Sequence, residues 1–86
     1  MTIKSFETEL EEIEAKLVAR LITEREKAGM TRTELSEAIG GYRTVITKLE
    51  TGNRKLDAAL FVKIATGLKL KPSTLMRRAW EDEGEV

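Results

Sequence analysis

Four side chains between residues 43 and 48 share one outward stripe and the chemistry of hydrogen-bond donation. If Val45, Ile46 and Leu49 face the interior of a helix, Arg43, Thr44, Thr47 and Lys48 fall on the opposite face, at i, i+1, i+4 and i+5. A guanidinium offers donors in a planar fork, an ammonium a compact charge, and a threonine both a hydroxyl and a methyl group. That set suits a surface rich in acceptors and negative charge, and it suits a plain solvated face equally well. What the chain lacks narrows the chemistry further. It has no cysteine and no histidine, which removes disulfides, thiolate metal sites, the commonest metal ligand and the commonest general base. Carboxylates are abundant, yet no nucleophile stands beside a base in a recognisable pattern, so no enzyme, metal or cofactor is expected.

The stripe has to be held by surrounding elements, and the charge pattern indicates where they lie. Fifteen Lys and Arg balance fifteen Asp and Glu over 86 residues, but they are not mixed evenly. Residues 1–15 set Lys4 against Glu7, Glu9, Glu11, Glu12 and Glu14, and Glu81, Asp82, Glu83 and Glu85 crowd the other end. Residues 16–78 carry fourteen bases against six acids, a net charge of +8. A cationic module therefore sits between two acidic ends that solubilise it and repel polyanions from every side but the basic one. The length predicts a single domain, 1–86, small enough for a homodimer interface to add usefully to its core. With an acidic start and no apolar run of about 18 residues, the chain is expected to be soluble and cytoplasmic, with no membrane partner.

Five helices follow from periodicity and caps. Phe6, Leu10, Ile13, Leu17 and Leu21 recur every three or four residues, widened by Val18 and Ile22, so residues 4–28 read as one extended first helix that ends at Gly29. Thr31 with Glu34 forms a capping-box pair ahead of a short helix that turns Leu35, Ala38 and Ile39 inward. Gly40 and Gly41 stop that helix with positive φ, and a third runs from about Tyr42 to Thr51 before Gly52 and Asn53. Asp57 caps a fourth helix bearing Leu60, Phe61, Ile64, Ala65 and Leu68, and Pro72 opens a fifth through Leu75, Met76, Ala79 and Trp80. Two short helices joined by a glycine turn are the architecture of a helix-turn-helix.

The residues Arg25 to Gly29, Met30-Thr31-Arg32-Thr33-Glu34-Leu35-Ser36, Gly40, Ile46, Leu49-Glu50-Thr51-Gly52, Arg54 and Ile64-Ala65 resemble the Cro and lambda-repressor-like helix-turn-helix domains of bacterial and phage regulators. The resemblance covers roughly residues 17–76, leaving 1–16 as an acidic extension of the first helix and 77–86 as the end of the last helix with an acidic tail. It implies an all-α, compact five-helix lambda-repressor-like DNA-binding domain with an extended first helix, and a sequence-specific transcriptional regulator. The expected regulator is a repressor that holds a palindromic, double-stranded operator as a homodimer. By the same resemblance Arg43, Thr44, Thr47 and Lys48 meet base edges in the major groove, where Arg43 can donate twice to guanine O6 and N7. Arg32, Asn53, Arg54 and Lys55 match phosphate-gripping positions, which set register rather than sequence choice. Arg25 and Glu50 match a largely buried structural ion pair that steadies the third helix.

Two residues depart from the family pattern. Gly41 replaces a small apolar residue in the turn, and Leu56 stands where a proline commonly begins the approach to the fourth helix. Phe6, Leu10 and Ile13 begin earlier than the family requires; their spacing suits either a partner helix in a dimer or packing across the fifth helix. Trp80 likewise either closes the core or pairs across a two-fold axis. The alternative function is an antitoxin, which would use the same fold to regulate its operon while its acidic first helix binds a basic toxin protein.

Overall fold

The computed structural model describes residues 6–81, which form α1 (Phe6–Lys27), α2 (Arg32–Ala38), α3 (Val45–Glu50), α4 (Ala58–Gly67) and α5 (Pro72–Glu81). Among the described residues there is no strand, and no helix is long and apolar enough to cross a membrane. The acidic residues beyond 81 and the first five of the chain lie outside the described part.

Local chemistry sets most of the boundaries. Thr31 accepts from the Glu34 N–H through its hydroxyl at 3.0 Å, and the Glu34 carboxylate accepts from the Thr31 N–H at 2.8 Å, so the start of α2 satisfies its own free donors. Asp57 does the same for α4, accepting from the Leu60 N–H at 2.8 Å. Gly40 ends α2 in the left-handed region at φ +73°, which lets the Gly41 N–H return to the Ser36 carbonyl at 3.0 Å. After α4 the left-handed position falls on Lys69, a non-glycine residue at φ 63°.

The core is one cluster drawn from every helix: Leu21 of α1, Leu35 of α2, Val45, Ile46 and Leu49 of α3, Leu60, Phe61, Ile64 and Ala65 of α4, and Leu75 of α5, with Leu68 just past α4. α1 runs along α5, and charged side chains join them. The Arg78 guanidinium donates to Glu24 Oε1 at 2.9 Å, and Arg20 donates to Glu24 Oε2 at 3.0 Å. Lys16 Nζ lies 5.8 Å from the centre of the Trp80 ring, within cation–π range.

The turn before α3 differs from the sequence expectation in two ways. Helix α3 begins at Val45, not Tyr42; residues 42–45 form a turn in which the Val45 N–H donates to the Tyr42 carbonyl at 3.0 Å. Its start is set from outside the segment, because the Ile46 N–H is taken by the Ser36 hydroxyl of α2 at 3.1 Å. Gly41, expected to share positive φ with Gly40, does not adopt it. Its constraint is space, since a Cβ there would stand 3.0 Å from Val45 Cγ1.

Candidate nucleic-acid interface

Helix α3 is six residues long, too short to hold its own conformation, so its neighbours have to fix it. Val45, Ile46 and Leu49 anchor one side in the core. Ser36, with no exposed surface, ties the beginning: its hydroxyl donates to the Arg32 carbonyl at 2.9 Å while accepting from Ile46. The Glu50 carboxylate ties the end. It receives Arg25 Nε at 2.7 Å on Oε2, Arg25 Nη2 at 3.2 Å on Oε1 and Arg32 Nε at 2.7 Å on Oε1. Arg25 also donates to the Met30 carbonyl at 2.8 Å. The Glu50 side chain is 3% exposed and that of Arg25 10%, so this is a two-arginine clamp on one buried carboxylate, linking α1 and α2 to the end of α3.

Arg32 thus does more than the sequence suggested. Its side chain remains 46% exposed, and beyond Glu50 its guanidinium has no ion-pair partner among the described residues, so the Nη edge stays open to solvent while Nε is held. Glu50 in effect aims Arg32.

The outward stripe sits as follows. Thr47 and Lys48 lie within α3, Arg43 and Thr44 in the turn before it, with Thr44 at the N-cap making no side-chain capping bond. Arg43, Thr44 and Lys48 are exposed and Thr47 is half-buried. Asn53, Arg54 and Lys55 follow on the exposed loop between α3 and α4. Asn53 donates from Nδ2 to the Thr51 hydroxyl at 3.1 Å, and Arg54 approaches the Asp57 carboxylate loosely at 3.6 Å. Among the described residues Arg43, Lys48 and Lys55 have no carboxylate partner. Leu10 and Ile13 are 48% and 41% exposed and Trp80 39%, whereas the side chain of Phe6 lies outside the described part.

Three contacts had no sequence reading. Glu24, 5% exposed, is the carboxylate that joins α1 to α5. Ser36 carries the contact between the two helices of the motif. Glu14 Oε2 accepts from the Leu56 N–H at 2.6 Å, across 42 residues of chain. The departure at position 56 bears on that last bond, because a proline there would have no N–H to give.

Comparison with known proteins agrees with this geometry. A helix-turn-helix family model matches residues 21–75. An XRE-family like protein from Pseudomonas syringae pv. tomato str. DC3000 is 26% identical, with a TM-score of 0.78 over 85% of this chain and 89% of that one. A mutant of the restriction-modification controller protein C.Esp1396I is 20% identical, and with a TM-score of 0.77 over 96% of this chain and 98% of that one it shares the fold. No curated protein matches the sequence. A five-helix core with a clamped third helix and a family match over most of its length lead to one assignment: the chain belongs to the Cro and lambda-repressor-like helix-turn-helix family of DNA-binding, non-enzymatic regulators.

Proposed function

We propose that this DNA-binding regulator is a repressor that holds a palindromic operator as a homodimer, with α3 in the major groove of each half-site. The observation that carries the reading is how the bases divide. Arg20, Arg25 and Arg78 are spent on buried carboxylates, whereas Arg43, Lys48 and Lys55 stand exposed around α3 with no carboxylate partner among the described residues. Arg43 and Lys48 donate to guanine O6 and N7, and the methyl groups of Thr44 and Thr47 pack on thymine methyls. Asn53, Arg54, Lys55 and the free edge of Arg32 meet phosphates and set the register. Leu10, Ile13 and Trp80 supply exposed apolar surface for the second copy, with Phe6 as a further contact. Half-sites then lie about one helical turn apart, or a multiple of it. Such a role belongs to the cytoplasm of a bacterium, with 1–86 acting as a single domain.

Selection of bound duplexes from a random pool, followed by gel shifts across a salt series, tests the proposal. A palindromic motif and an affinity that falls steeply with salt are expected; weak, sequence-blind binding refutes it. The antitoxin reading is favoured by one feature, the acidic first half of α1 with Leu10 and Ile13 exposed, which suits a basic partner protein. A neighbouring toxin reading frame, and co-purification of its product with this chain, is the result that would select it.

A further inference from the structure

The loop that carries Asn53, Arg54 and Lys55 is pinned at both ends. The Asn53 N–H closes α3 onto the Lys48 carbonyl at 2.8 Å, and Asp57 caps α4. Between those caps the Leu56 N–H ties the loop backbone to another element, through the 2.6 Å bond to Glu14 Oε2. A carboxylate accepting from a backbone N–H makes a short, charge-assisted bond, stronger than a neutral one. Leucine at 56 also leaves φ free where proline would lock it, so this chain lacks that restraint and has the tether. The same stretch of α1 brings charge to the loop: Glu7, Glu11 and Glu14, spaced along one face, line a shallow groove with Lys55.

We infer that Glu14 is a positioning residue for DNA binding, whose carboxylate holds the Asn53–Arg54–Lys55 loop in its phosphate-gripping conformation through the Leu56 N–H. Its negative charge acts the other way, lowering the attraction of the loop for any DNA. The inference rests on the phosphate-gripping role proposed above, and the two effects separate by substitution. Glu14→Gln keeps an acceptor and removes the charge, so it binds selected and scrambled duplexes as tightly as the unaltered protein or more so. Glu14→Ala removes both. At the same net charge as Glu14→Gln, it binds both duplexes about threefold to tenfold more weakly, the worth of one hydrogen bond, and the loss falls equally on both because phosphates carry no sequence.

Two further readouts keep position apart from stability. The Leu56 amide exchanges slowly in the unaltered protein and in Glu14→Gln and fast in Glu14→Ala, while the melting temperatures of the two variants stay within a few degrees of each other. Equal affinities of Glu14→Ala and Glu14→Gln, or a Leu56 amide equally protected in both, overturn the inference while leaving the DNA-binding reading intact. Absence of salt-dependent DNA binding by the unaltered protein overturns both.

Discussion

Replacing Ser36 by alanine removes one oxygen atom and, with it, two hydrogen bonds. The bond to the Arg32 carbonyl is a side-chain bond within the helix and its loss is minor, because that carbonyl also lies in reach of the α2 ladder. The bond from the Ile46 N–H is different. Ile46 is 1% exposed and Ser36 0%, so water cannot replace the hydroxyl, and an unpaired N–H at the start of α3 carries a desolvation penalty of about 1–3 kcal/mol. Alanine's better helix propensity returns roughly 0.5 kcal/mol, which does not reverse the sign. A net loss of about 0.5–2.5 kcal/mol corresponds, for a chain of this size, to a fall in Tm of about 2–20 °C. Thermal and urea unfolding followed by circular dichroism, at one fixed protein concentration because any self-association would shift apparent stability, read that loss directly. Amide exchange at Ile46 should accelerate in the same variant. A melting point within about 2 °C of the unaltered protein, with Ile46 still protected, would refute the reasoning that α3 is started by α2.

Further outcomes follow from the same geometry. Glu50→Ala leaves the nearly buried Arg25 without its carboxylate, at a cost of about 3–5 kcal/mol; loss of a cooperative unfolding transition at 37 °C is the expected result. Lys69→Gly relieves a left-handed side chain at φ 63° and should raise stability by about 1 kcal/mol in urea titrations. Gly67→Ala puts a methyl 2.9 Å from Ile39 Cγ2 and 3.1 Å from Leu35 Cδ1, so overpacking of about 1–3 kcal/mol should outweigh alanine's helix preference and lower Tm. Arg43→Ala should relax selection at one base pair at about 1–3 kcal/mol, whereas Lys55→Ala should weaken selected and scrambled duplexes alike; gel shifts on both duplexes separate the two roles.

The elements that read correctly from the sequence are those whose signals are local. The capping pair Thr31 and Glu34, the N-cap Asp57, the apolar spacing of α1 and α4 and the opening Pro72 each act within a few residues, so their types and order specify the helices. The start of α3 did not read because its second donor, the Ile46 N–H, is answered by Ser36, ten residues back and on another helix. Glu24 had no reading of its own, because its partner Arg78 comes from α5, 54 residues along the chain. The bond from Leu56 to Glu14 has no sequence signature on the donor side, since every residue but proline carries a backbone N–H. Gly41 illustrates a related ambiguity: glycine marks either a backbone that needs positive φ or a place where no Cβ fits, and composition cannot tell the two apart.

The anchors of α3 have a consequence for how such a protein changes over generations. Ser36, Glu50 and the inward Val45, Ile46 and Leu49 hold the helix, and none of them belongs to the outward set at 43, 44, 47 and 48. Substitutions at the exposed members Arg43, Thr44 and Lys48 therefore leave the scaffold's folding energy nearly untouched, with a larger effect at half-buried Thr47. If those positions read the operator as proposed, a duplicated copy can drift to a new target without first passing through an unstable intermediate.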